Sequence, residues 1–83
     1  MQQKASILIL IQWYPPGFKS GGLAQATKRL AEGLTGKFQI YVLTTNTDFG
    51  SSKPYLNIIP DQWLLINDNL QIKYLSTSQK RTQ

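Results

Sequence analysis

The stretch richest in chemical possibility is Gln12-Trp13-Tyr14-Pro15-Pro16-Gly17-Phe18-Lys19-Ser20-Gly21-Gly22, a loop between an apolar run and a helical pattern. Adjacent glycines at a helix start leave backbone N–H groups open to an approaching anion, and the helix dipole adds roughly half a positive charge at the same point. Such a place suits a phosphate. A Walker A loop needs G-x-x-x-x-G-K-[ST]; Gly17 and Gly22 have the spacing, but Leu23 and Ala24 stand where the lysine and hydroxyl are required. The dinucleotide fingerprint needs G-x-G-x-x-G and an acid near the end of the second strand. Here the glycines are misplaced and that strand ends in Thr44-Thr45-Asn46. Neither ATP hydrolysis nor NAD binding is supported. The competing reading is that Gly21-Gly22 only turns the loop into the helix, with Trp13, Tyr14 and Phe18 packing the loop rather than walling a substrate.

The elements that must hold this loop follow from hydrophobic periodicity. Ile7-Leu8-Ile9-Leu10-Ile11 is a continuous β-branched-rich run, the pattern of a strand buried on both faces in a parallel sheet. Leu23, Thr27, Leu30 and Leu34 then fall on one helical stripe, with Ala26 and Ala31 beside them and Gln25, Lys28, Arg29 and Glu32 on the other face. Ser20 is the expected N-cap and Gly36 the expected left-handed residue past the helix end. Gly33, inside the pattern, implies a close neighbour, since glycine there costs about 1 kcal/mol relative to alanine. Phe38 to Thr44 reads as a second strand, completing a βαβ unit with a right-handed crossover.

Residues 45–54 read as an exposed polar excursion, and Tyr55 to Ile66 as a short strand or helical turn. Asn67-Asp68-Asn69 is a turn, Leu70 to Leu75 a third strand, and the polar residues 76–83 a fraying end. The fold class is α/β, a partial Rossmann-like parallel sheet of one βαβ unit plus a third strand. A single helix covers one face of such a sheet. The isolated chain is therefore expected to be molten, or to self-associate through the bare face.

Composition removes several kinds of chemistry. The 83 residues contain neither Cys nor His, which excludes a disulfide scaffold, the usual zinc sites, cysteine nucleophiles and Ser-His triads. Nine Lys and Arg against four acids give a net charge of +5. The basic residues are scattered from Lys4 to Arg81, adjacent only at Lys28-Arg29 and Lys80-Arg81, which reads as ordinary solvated charge and not as a nucleic-acid surface. No run approaches the roughly 20 apolar residues of a membrane span, and no small-residue cleavage site follows Ile11. A cytoplasmic location is expected, or a peripheral one at the inner face of the membrane.

Trp13-Tyr14-Pro15-Pro16, Ser20-Gly21-Gly22 followed by Ala24-Gln25, Leu30-Ala31-Glu32-Gly33-Leu34 and Val42-Leu43-Thr44 occur in that order, and Lys53-Pro54-Tyr55, Asp61-Gln62-Trp63 and Tyr74-Leu75-Ser76 continue the series. Together they resemble the N-terminal domain of family-four glycosyltransferases of GT-B type, in the branch common among bacterial polysaccharide enzymes, from Ile7 to Ser76.

The resemblance implies a retaining, two-domain enzyme. Its N-terminal Rossmann-like domain binds a glycan or lipid-linked acceptor, its second domain binds the sugar nucleotide, and no metal or other cofactor is required. By that match Ser20, Gly21 and Gly22 face the donor diphosphate, stabilising its charge as an oxyanion hole does, while Tyr14 and Lys19 border donor or acceptor. The family's N-domain histidine has no counterpart here, nor do its C-domain Arg/Lys pair and paired glutamates; Glu32 lies on a helix flank, and Asp48, Asp61 and Asp68 are isolated in loops. No catalytic residue is assigned. The expectation is an incomplete acceptor-side domain over residues 1–83, without a second domain and inactive alone. A non-enzymatic α/β binding module and a truncated remnant are the competing classes.

Overall fold

The computed structural model describes residues 4–76, so expectations for residues 77–83 lie outside it. The chain runs β1 (Ala5–Leu10), α1 (Leu23–Leu34), β2 (Phe38–Thr45), β3 (Trp63–Asn67) and β4 (Leu70–Leu75). These strands form one four-stranded sheet in the order β1-β2-β4-β3. β1, β2 and β4 are parallel neighbours, and β3 pairs antiparallel with β4. The protein is thus α/β, with a mostly parallel sheet and one helix. β3 settles the ambiguous stretch before Asn67, and its turn into β4 is closed by Asn67 Oδ1 accepting the Asn69 N–H at 2.8 Å.

The core lies between α1 and one sheet face. Ile40 and Val42 of β2 and Leu70, Ile72 and Tyr74 of β4 alternate onto that face, and Tyr14 and Ala31 pack with them. The helix meets the sheet through half of the expected stripe, Thr27 and Leu34, joined by the small residues Ala24 and Ala31 in place of Leu23 and Leu30. Ala24, Thr27 and Ala31 are buried, whereas Leu23, Leu30 and Ala26 are exposed. The spacing i, i+3, i+7 of these small side chains lets the helix backbone approach β2 closely. The Thr27 hydroxyl is satisfied inside the helix by donating to Leu23 O at 2.9 Å.

Both helix ends differ from the sequence expectation. The N-cap is Gly22, not Ser20, and no side chain caps it. At the other end Thr35 N donates to Glu32 O at 3.3 Å and Lys37 N to Leu34 O at 3.1 Å. Thr35 itself stays in the right-handed region, and Gly36 is not among the positive-φ glycines. A tightened last turn, with Lys4 Nζ donating to Thr35 O at 2.8 Å, replaces the left-handed cap. Gly33 also has no close neighbour, since a Cβ there would enter open space.

β1 is the clearest correction. It occupies a sheet edge, and its outer face is uncovered, so Leu8 and Leu10 are 56% and 69% exposed instead of buried. The register places Leu8 beside Tyr41 and Leu10 beside Leu43. Farther across the same face come Lys73 and Leu75 of β4, then Trp63 and Leu65 of β3. No helix of the described chain covers this surface, and the apolar pattern of β1 alone cannot supply the second layer it would match. The chain is expected to bind an environment-sensitive apolar dye at neutral pH. A folded sample with no dye fluorescence would show the face to be covered.

Candidate functional site

In parallel sheets ligands gather at the carboxyl ends of the strands. At that end here the loop from Ile11 to Gly22 passes from β1 into α1. Nonlocal contacts hold it from three sides. Thr45, ending β2, donates its hydroxyl to Gln12 O at 2.6 Å. Tyr74 of β4 donates its hydroxyl to Pro15 O at 2.6 Å. From the β2–β3 connection, Asp48 accepts the backbone N–H of Phe18 at 3.0 Å and of Lys19 at 3.1 Å, as well as the N–H of Phe49 at 2.7 Å. Tyr55 adds a longer bond from its hydroxyl to Tyr14 O at 3.4 Å.

Asp48 is therefore not an isolated loop acid. It is 9% exposed, as is Thr47, and Asn46 is 6% exposed, so the start of the expected polar excursion is folded inward against the glycine loop. Burial works to raise the Asp48 pKa, but the N–H groups of Phe18, Phe49 and Lys19, together with the Lys19 charge, outweigh it and hold the carboxyl below its usual range. A Cβ on Gly17 would strike the Tyr55 hydroxyl and approach the Asp48 carboxylate to 2.8 Å. Glycine is needed there because the clamp comes so close. Asp61 is also engaged, accepting Ser76 N at 2.8 Å while its own N–H donates to Tyr74 O at 2.8 Å.

Beneath the loop lies a tyrosine cluster. The Tyr55 and Tyr74 rings meet edge to face at 6.0 Å, and Tyr14 is 2% exposed. Burial, helped by the Glu32 charge, pushes the Tyr14 pKa up to about 12. Burial likewise raises Tyr74, reinforced by Tyr14 and Tyr55, and raises Tyr55 with help from Asp48 against an opposing bond from the Gly17 N–H. Tyr14 is thus a core pillar under the loop rather than a residue of its outer rim. Of the other loop aromatics, Trp13 packs edge-on against Phe49 at 4.9 Å, while Phe18 is 71% exposed.

The residues assigned to an anion come together at the helix start. Gly21 has φ +77, a left-handed conformation that side chains resist, whereas Gly22 has φ −85 and ψ −1. Open space surrounds the Cβ position at both. The first turn of α1 carries no acid and no side-chain cap, so its leading N–H groups face outward without an internal side-chain acceptor. Two hydroxyls, Ser20 Oγ and Thr44 Oγ1, are buried without a hydrogen-bond partner; Ser20 adjoins the glycines and Thr44 lies near the carboxyl end of β2. Lys19 is exposed beside them.

No family model, curated protein or solved structure matches this chain. The site accordingly stands on its own geometry. A shallow apolar hollow of about 130 Å³, lined by Asn57, Ile58, Ile59, Gln62, Trp63 and Leu64, includes none of the glycine-loop residues. It falls below the roughly 300 Å³ at which small-molecule pockets begin. Among the described residues no group of three or more His, Cys, Asp and Glu could hold a metal, and no helix is long and apolar enough to cross a membrane.

Proposed function

We propose that this chain is the Rossmann-like, acceptor-side part of a retaining GT-B glycosyltransferase, with Ser20, Gly21 and Gly22 facing the diphosphate of a nucleotide-sugar donor. The observation that carries this reading is the uncapped, acid-free start of α1 behind two open glycines at the carboxyl end of a parallel sheet. In transfer from a sugar nucleotide, the bond from the anomeric carbon to the diphosphate breaks and negative charge grows on the departing oxygen. Fixed backbone N–H groups aimed at that oxygen stabilise it without reorganising. Lys19 adds a charge at the rim. In this reading the nucleoside is held by the second domain, which also supplies the Arg/Lys pair and the paired glutamates that the resemblance implies. The polysaccharide or lipid-linked acceptor, and a site of action at the inner membrane face, follow from the sequence resemblance alone.

Binding of a bare nucleotide tests the reading on the chain itself. An exposed helix-end charge interaction is worth about 0.3–1 kcal/mol, the Asp48 carboxylate at the Phe18 and Lys19 amides of the same loop opposes an anion, and association entropy must be overcome. UDP or GDP is therefore expected to bind no tighter than roughly millimolar, about −4 kcal/mol. In an NMR titration the shifts should centre on Ser20, Gly21, Gly22 and Leu23. Micromolar binding at those amides would instead identify an autonomous nucleotide-binding module, the competing non-enzymatic class. A folded sample with no shifts there would remove the phosphate role.

A further inference from the structure

Between the Lys19 amide, which Asp48 holds, and the first residue of α1 stand Ser20, Gly21 and Gly22. Two of them lack a Cβ, and Gly21 lies in the left-handed region at φ +77. Chain of this kind has the most conformational freedom to lose on ordering. From the helix side the span is fixed by Ala26 N, which donates to Gly22 O at 2.9 Å. From the other side its path is set by wherever the Lys19 amide is held.

Asp48 is itself tied to the sheet. Asn46 N donates to Leu75 O at 3.0 Å and Tyr55 N to Asn46 O at 2.8 Å, Thr47 bridges to Pro54, and Ser51 N donates to Asp48 O at 3.1 Å. Both carboxylate oxygens are committed. Oδ2 accepts from Phe18 at 3.0 Å and Lys19 at 3.2 Å, and Oδ1 from Lys19 at 3.1 Å and Phe49 at 2.7 Å. Only the ionised carboxylate is an acceptor alone at both oxygens; an amide of the same shape turns an NH2 group toward one of these donors. We infer that Asp48 is the positioning residue of the glycine loop: through the Lys19 amide it fixes the path of Ser20, Gly21 and Gly22, so that their N–H groups are ordered before an anion arrives. It does so against its own charge, which repels that anion, and a substitution sets the two effects in opposite directions. Its bearing on a diphosphate rests on the glycosyltransferase reading; its hold on the loop does not.

In the whole chain, Asp48→Asn should lower the NMR order parameters of Ser20, Gly21 and Gly22 from about 0.85 toward 0.6 or below. The buried strand residues Val42 and Ile72 should stay rigid. In a UDP titration, charge alone predicts tighter binding by the variant, whereas lost positioning predicts binding weaker by about threefold or more. The unsubstituted chain gives a second test should Asp48→Asn not fold. Burial acts to raise the Asp48 pKa, but the three N–H groups and Lys19 prevail and lower it. The clamp is therefore present above the ordinary value of 3.8 and lost as pH falls through the lower folded one. Lys19 and Tyr55 are the titratable groups bearing on it, and an ammonium and a phenol keep one charge state throughout acid. Gly21 and Gly22 should loosen in step with titration of the Asp48 carboxyl, before Val42 and Ile72 do. Unchanged order at the two glycines in the variant, glycines that loosen only together with the core, or tighter UDP binding by the variant would each overturn the proposal. An unsubstituted chain that binds no UDP would instead overturn the diphosphate reading, and the order parameters would still decide the role of Asp48.

Discussion

Gly22→Val, introduced into a complete glycosyltransferase carrying this segment, is expected to lower turnover about 10²–10³-fold while the domain remains folded. The fold can accept the change. Gly22 has φ −85, a conformation open to any residue, and its Cβ would enter open space. Replacing an N-cap glycine by a β-branched residue costs on the order of 1 kcal/mol. The expected loss of rate is larger, about 2.7–4 kcal/mol, the range for removing one donor to a developing oxyanion. Two methyl groups on the open side of the loop would hold a phosphate oxygen away from the N–H groups of the first turn. Because the charge develops in the transition state, kcat should fall more than KM rises.

Gly21 cannot serve the same purpose. At φ +77 a side chain is strained whatever the space around it, at a cost of about 1–3 kcal/mol, so lost activity there would not separate chemistry from folding. Gly22→Ala gives the graded comparison, since one methyl blocks less of the approach. Steady-state kinetics beside circular dichroism decide the matter. Near-normal turnover in a folded Gly22→Val enzyme would leave the glycine pair with the sole task of turning the loop into α1.

The order of elements was legible because period and breakers are local signals. The helix between Leu23 and Leu34, the strand from Phe38 and the final strand from Leu70 to Leu75 lie where periodicity and turn residues set them. What the pattern could not show was which layer each face would meet. Ile7 to Ile11 has the composition of a central strand, yet its place in the sheet depends on neighbours that its own residues do not encode. The helix stripe held only in part, for a related reason: Thr27 and Leu34 face the core, but Leu23 and Leu30, which outweigh Ala24 and Ala31 in any hydrophobic count, are exposed while those alanines take the side that allows closest approach. At the site, the glycines were visible as a motif, whereas the Asp48 clamp joins groups about thirty positions apart. Its one sequence trace was a lone acid in a polar stretch beyond a strand end, which is also how a solvated loop acid looks.

The largest expected effect of pH is alkaline loosening of the glycine loop followed by unfolding. Tyr14 is raised from 10.0 to about 12 in the folded chain, and Tyr55 and Tyr74 are raised as well. A raised folded pKa means that the neutral form is favoured by folding. That stability is fully present below pH 10, the value in the unfolded chain, and is lost as pH rises toward and through the folded value near 12. For Tyr14, two units correspond to roughly 2 kcal/mol after allowance for solvent screening, a large share of the few kcal/mol available to so small a domain. Tyr74 adds a geometric reason. Its neutral hydroxyl donates to Pro15 O at 2.6 Å, but a tyrosinate has no proton to donate and would face that carbonyl oxygen with a like charge. Ionisation therefore releases the loop from below, at the point where Tyr14, Tyr55 and Asp48 also grip it. Tyrosinate absorbance and far-ultraviolet circular dichroism, followed together, should show the buried tyrosines ionising only as structure is lost. Tyr14→Phe should move the alkaline midpoint upward, while Tyr74→Phe should lower stability at neutral pH by about 1 kcal/mol through loss of the Pro15 bond. Should all the tyrosines ionise near pH 10 with the circular dichroism unchanged, these side chains would not be the buried supports of the loop.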